Sequence, residues 1–162
     1  MQFTPRGGNL TFWNKNYEGT FYLPGECGQK SICVRTFKKM NLGHEVISAG
    51  TKVEGKDGTS RHGQLLKDCN GAERVIDVMD EVGVNVRDNA RTQLAPEMLP
   101  GVDRVIVMSE REHMPEYLNN WPGMVYWDVP DPKGHDVEFH REIREKVDAL
   151  LKENLSLFLS TT

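Results

Sequence analysis

The chain has no excess of positive charge, no long apolar run and almost no cysteine, and each shortage closes off a class of function. Its 162 residues carry 20 Lys and Arg against 24 Asp and Glu, a formal net charge of −4. That balance offers nothing to neutralise a phosphate backbone, so nucleic acid is not an expected partner. No stretch approaches the ~18 apolar residues of a membrane span, and the N-terminus lacks a basic start followed by an apolar segment and a small-residue cleavage site. The expectation is a soluble, cytoplasmic protein with no membrane contact. Cys27, Cys33 and Cys69 are the only cysteines. An odd number at irregular spacing argues for reduced thiols rather than a disulfide framework. Internal repeats and low-complexity segments are also missing, and the length suits one domain with a substantial core.

What is present alternates between strand and helix signals. Residues 1–16 contain Gly7-Gly8 and then "LTFWNKNYEG", which reads as a short hairpin that could add an edge strand. Residues 20–23 form an aromatic strand ended by Pro24-Gly25. Ser31 is expected at the N-cap or first turn of a helix that turns Cys33, Phe37 and Met40 inward, while Arg35, Lys38 and Lys39 form a solvated basic face. "HEVIS" is the second strand. Residues 51–70, rich in Gly, Lys, Asp and Ser, read as a long surface loop with one helical turn at 64–67. Val75, Ile76, Met79 and Val82 recur at helical spacing, and Gly83 stops that helix.

"VDRVIVM" is the clearest strand, a continuous apolar run of the kind buried on both faces. Ser109 and Glu112 form a capping-box signature for a helix through Leu118. "MVYWDV" is a fourth parallel-type strand, and Asp136 caps a last helix with the stripe Phe139, Ile143, Val147 and Leu150. This alternation implies an α/β fold with a parallel sheet covered by helices. Ligands in such sheets bind beyond the C-terminal strand ends, where the stretch after Leu23 and "DVPDPKG" after Trp127 emerge.

The segments "HEVISAGTKV", "VIDVMDEVGVNV", "NARTQLAPEMLPGVDRVIVMSE", "VYWDVPDPKG" and "FHREIREKVDALL", in that order, resemble the low-molecular-weight protein tyrosine phosphatase and arsenate reductase family. The resemblance spans residues 20–154 and leaves 1–19 as an N-terminal extension and 155–162 as a tail. It implies a four-stranded parallel sheet in three αβα layers, and chemistry in a loop of pattern C-x-x-N-x-x-R-S after the first strand. There a thiolate attacks phosphorus, backbone N–H groups hold the oxygens, an Arg clamps them, and an Asp in a later Asp-Pro motif protonates the leaving oxygen.

Matched without gaps, Leu23 stands where the family has its nucleophilic Cys, Glu26 where it has Asn, Gln29 where it has Arg and Lys30 where it has Ser; Gly25 and Gly28 persist. Leu offers no nucleophile, Gln no charged fork, and Glu26 sets a carboxylate where an oxyanion would sit. The expectation is a degenerate phosphatase whose segment Leu23, Gly25, Glu26, Cys27, Gly28, Gln29, Lys30 and Ser31 binds an oxyanion (phosphate, sulfate or arsenate) or a protein partner. The alternative is an active phosphomonoesterase or arsenate reductase with Cys27 as nucleophile. The first Arg after Cys27 is Arg35, two residues beyond the family spacing. Asp131 matches the general acid, and it equally suits a structural Asp-Pro turn. The family's aromatic residues after this motif are replaced by Lys133, Gly134 and His135.

Cys33, on the inward face, is expected to be a core thiol, and Cys69 a surface residue before Gly71. His135 and His140, five apart, do not share a helix face, so solvated histidines are expected and no metal or cofactor is called for. Trp13, Trp121 and Trp127 read as packing residues. "LSLFLSTT" could extend the last helix or present an apolar patch. Oligomeric state is not legible.

Overall fold

A computed structural model describes residues 20–24, 27–40, 45–108, 111–154 and 156. The expected N-terminal hairpin, Trp13 and nearly all of the C-terminal tail lie outside the described residues. Four strands form one sheet: β1 (Thr20–Pro24), β2 (Glu45–Ala49), β3 (Arg104–Val107) and β4 (Met124–Tyr126). The order is β2-β1-β3-β4 and every neighbouring pair is parallel. Register sets Phe21 beside Val46, Tyr22 beside Val105 and Ile106 beside Val125. The helices are α1 (Cys27–Met40), α2 (Glu73–Asp80), α3 (Glu116–Asn119) and α4 (Val137–Glu153).

The apolar run of β3 is continuous because both sheet faces are covered. Ile106 and Met108 join one core with Val46 of β2, Phe37 of α1, Val75 and Met79 of α2, and Ile143, Val147 and Leu151 of α4. Val105 and Val107 point the other way, into a second core with Ile47, Ala49, Leu94, Leu99 and Leu118 of α3. Successive side chains of a strand alternate faces, so one run feeds both layers. This is the expected three-layer αβα arrangement.

Several elements differ from expectation for identifiable reasons. The expected helix from Ser109 to Leu118 is instead a 3-10 turn at Arg111–His113 and the short α3. Pro115 separates them, because a proline ring obstructs a continuous helix and pushes its predecessor toward extended backbone. Ser109 lies outside the described residues. In α4 the buried stripe is His140, Ile143, Val147 and Leu151, with Phe139 and Leu150 only partly buried at its margins. Asp136 caps that helix as expected, its Oδ1 accepting from the Phe139 N–H at 2.9 Å.

The long segment after β2 is pinned, not a free surface loop. Gly50 and Leu94 flank one pairing, the Gly50 N–H donating to Thr92 O at 2.7 Å and the Leu94 N–H to Gly50 O at 2.8 Å. Farther along, the Arg91 N–H donates to Gln64 O at 2.8 Å and the Leu66 N–H to Asn89 O at 2.9 Å. Its helical turn falls at Leu66–Asp68, where Leu66 is buried. Val53 and Leu66 anchor the segment in the interior, which the polar composition conceals.

Candidate active site

The C-terminal strand ends bring two segments to the same edge of the sheet. β1 ends at Pro24 beside Ala49, and α1 opens at Cys27. Only Gly25 and Glu26 fall between them, and both lie outside the described residues. Ser31 is therefore neither N-cap nor first-turn residue: α1 starts four positions earlier than expected, and Ser31 lies in its second turn. Gln29 and Lys30 are good helix formers, and burial of Cys33, Val34 and Phe37 against the sheet offsets the ~1 kcal/mol that Gly28 costs inside a helix.

The consequence is chemical. Leu23 is a strand residue opposite Ser48, and Cys27, Gly28, Gln29 and Lys30 form the first helical turn. In a helix that opens at Cys27, the backbone N–H groups of Cys27, Gly28 and Gln29 have no acceptor four residues back within the helix or its N-cap. Segment 23–31 is thus a strand end, a two-residue connection and a helix start.

The second segment carries Asp131. Its Oδ1 accepts from the Lys133 N–H at 3.0 Å, and the His135 N–H donates to Pro132 O at 3.1 Å, closing successive turns into α4. Gly134, at φ 83°, takes the left-handed conformation that this reversal requires. The exposed His135 ring stacks on Phe139 with centroids 4.2 Å apart, so an aromatic pair does stand just after the Asp-Pro turn.

Beside this turn opens a cavity of about 110 Å3, lined by Cys69 and Gly71 before α2, by Arg91, by Asp131 and Lys133, and by His140 of α4. His140 is only 3 % exposed, which corrects the expectation of a solvated imidazole. Its Nδ1 lies 2.7 Å from Asp136 O. A carbonyl can only accept, so Nδ1 carries a proton and donates it to this contact. Arg91 Nε is out of solvent with no hydrogen-bond partner among the described residues. His140 escaped sequence reading because a five-residue spacing from His135 drew attention to metal geometry, which it does not satisfy. Arg91 stood in a quoted motif without a role.

Arg35 likewise departs from the solvated face assigned to it. Its Nη2 donates to Asn89 Oδ1 at 2.7 Å, joining α1 to the pinned segment, and its Nε is buried without a partner among the described residues. Lys38 is exposed. Cys33 is fully buried, and desolvation pushes its thiol well above the ordinary range. Cys69 is half-buried, its Sγ donating to Leu65 O at 3.3 Å. Trp127 is buried in the first core, as a packing residue should be. No cluster of three metal-ligating side chains occurs among the described residues.

No family model and no curated protein sequence matches the chain. Solved structures do match in three dimensions. A low-molecular-weight protein tyrosine phosphatase from T. tengcongensis superposes with a TM-score of 0.62 at 20 % identity, over 85 % of this chain and 97 % of that one. The chain has the low-molecular-weight phosphatase fold. The YwlE arginine phosphatase from Geobacillus stearothermophilus gives 0.66 at 18 % identity, over 86 % and 94 % of the two chains. An arsenate reductase in the phosphate binding state gives 0.63 at 15 % identity, over 86 % and 97 %. Likeness at such identities conveys the low-molecular-weight phosphatase architecture, whereas activity depends on the residues placed upon it.

Proposed function

We propose that this chain is a catalytically degenerate protein of the low-molecular-weight phosphatase fold, a pseudophosphatase that binds an oxyanion or a protein partner at its remodelled β1–α1 connection. In this reading residues 20–154 are the binding domain, flanked by the 1–19 extension and the 155–162 tail, and the protein works in the cytoplasm. The start of α1 at Cys27 carries the proposal. A helix beginning there supports the reading in which Leu23, Glu26, Gln29 and Lys30 stand in place of nucleophile, Asn, clamp and Ser. Free N–H groups at the N-terminus of a 14-residue helix and the two glycines still favour an anion. The fold neighbour captured in a phosphate binding state is consistent with that class of ligand.

One observation favours the second reading, a thiol-dependent phosphomonoesterase or arsenate reductase with Asp131 as acid. Cys27 is the first residue of α1, and a helix N-terminus lowers the pKa of a thiol. Rapid mixing with p-nitrophenyl phosphate separates the two. The pseudophosphatase gives neither burst nor turnover above background. Turnover that disappears in Cys27→Ser would establish the enzyme instead.

A further inference from the structure

Asn70 and Gly71 form a turn between the 3-10 turn at Leu66–Asp68 and α2, closed by the Ala72 N–H donating to Cys69 O at 3.1 Å. Both residues are exposed, and Asn70 is the only asparagine in the chain followed by glycine. Gly71 has φ 83°, and a Cβ placed there would meet nothing within 4 Å, so no neighbour crowds the turn on that side. Neither the Gly71 N–H nor the Asn70 carboxamide has a hydrogen-bond partner among the described residues. By contrast, Asn85 Oδ1 accepts from the Arg87 N–H at 3.0 Å, Asn89 Oδ1 accepts from Arg35 Nη2 at 2.7 Å, and Asn154 Nδ2 donates to Leu150 O at 2.8 Å. Asp57 also precedes a glycine, but its carboxylate is held by Thr59 and Arg61, and an ionised carboxylate is a poor electrophile.

We propose that Asn70 is a site of spontaneous deamidation, which adds a carboxylate to the lining of the cavity that it shares with Arg91 and Lys133. The Gly71 amide nitrogen, after losing its proton to hydroxide, attacks Asn70 Cγ; the carboxamide nitrogen leaves as ammonia, and a cyclic succinimide joins the two residues. Water then opens the ring at either carbonyl. One opening gives aspartate, and the other gives isoaspartate, with the main chain rerouted through the side chain. Glycine permits the attack, because no Cβ stands beside the nucleophilic nitrogen and its backbone reaches conformations closed to other residues. Both products carry the new carboxylate, and its position gives it a partner. Arg91 Nε is out of solvent with no hydrogen-bond partner among the described residues. A buried charged donor without an acceptor is costly, and a carboxylate at residue 70 supplies one within the same cavity.

The test incubates the full native chain at pH 8 and at pH 6 and follows the peptide around residue 70 by mass spectrometry, with chromatographic separation of aspartate from isoaspartate. Both products should appear at Asn70, at least tenfold faster at pH 8, and the native rate should lie within a few-fold of that in denaturing urea. Peptides carrying Asn85, Asn89 and Asn154 should stay unchanged over the same period. Gly71→Ala should slow the reaction at least tenfold. A native chain that keeps Asn70 intact while the urea-unfolded chain deamidates would overturn the proposal, as would an undiminished rate in Gly71→Ala. The partnership with Arg91 is read in Asn70→Asp, whose new carboxyl, followed by NMR, should titrate below the ordinary value of about 3.9. Arg91→Gln in that background should restore the ordinary value. A carboxyl unshifted in Asn70→Asp alone would overturn the pairing, whether or not the double variant folds.

Discussion

Glu81 and Arg141, sixty residues apart in sequence, join the C-terminal end of α2 to α4 through several hydrogen bonds, the Arg141 Nη2 donating to Glu81 Oε1 at 2.6 Å and its Nε to the same oxygen at 3.0 Å. Arg144 adds a second guanidinium, its Nη1 donating to Glu81 Oε2 at 3.0 Å and to Val78 O. One carboxylate thus links α4, at the residue after His140, to the C-terminal end of α2. Both helices rest on the first core, so the clasp holds the wall that carries His140 against the segment that carries Gly71.

That geometry sets a pH dependence. Hydrogen bonds from Arg141, then from Arg144, hold the Glu81 carboxyl down at about 2, against the ordinary value of 4.5. Because the folded value is depressed, the stabilisation is fully present above the unfolded pKa and is lost as pH falls from about 4.5 towards 2. Glu81→Gln should lower Tm at neutral pH, and the deficit should shrink steeply as pH falls from about 4.5 towards 2. The clasp is partly exposed, so high salt should also shrink the difference. A deficit unchanged between pH 7 and pH 2 would show that Glu81 acts by packing alone.

A second expectation concerns the start of β4. Gly123 has φ 79°, and a Cβ there would stand 2.6 Å from the Asp103 carbonyl oxygen. That carbonyl belongs to backbone entering β3 and cannot swing aside as a side chain could. Gly123→Ala should therefore cost more than the ~1–3 kcal/mol of left-handed strain alone. Gly83 supplies the comparison, since its φ of 73° is similar and a Cβ would meet nothing within 4 Å. Urea unfolding of Gly83→Ala and Gly123→Ala should rank the second as clearly less stable. Equal losses would mean that the β3–β4 approach relaxes freely.

The strands and the end of α2 were legible because each follows from local chemistry. The "VIV" of β3 carries two-sided burial in its composition, and Gly83 stops a helix by its own backbone. The start of α1 was not legible, because Ser31 is the better cap by type while packing of Cys33 and Phe37 lets the helix run back to Cys27. Arg35 and His140 were misjudged for another reason. Their environments are set by Asn89, 54 residues away, and by an enclosing wall drawn from separate segments. Nothing local announces such partners. The Asp131 turn was legible as a turn, but the cavity beside it depends on Arg91, which the pinned segment delivers through its pairing with Gln64.

Cys33 offers a direct readout of the first core. Its side chain is 0 % exposed between α1 and the sheet, and burial alone raises its pKa, so the thiol stays neutral far into alkaline solution. Only the thiolate reacts with alkylating reagents, so two barriers act together, access and ionisation. In native buffer at pH 8, peptide-resolved mass spectrometry after iodoacetamide should find Cys33 unmodified while the half-buried Cys69 reacts. In denaturing urea the two should react at similar rates. A raised folded pKa also means that this group contributes stability below the unfolded thiol pKa of about 8.5, and that the contribution is lost as pH rises beyond it. Labelling of Cys33 should therefore accelerate above pH 9 faster than thiolate formation at an exposed cysteine, because the folded state is losing ground as well. Rapid native labelling at pH 8 would mean that α1 opens locally without global unfolding, and would place the weak point of the fold at the helix that follows the first strand.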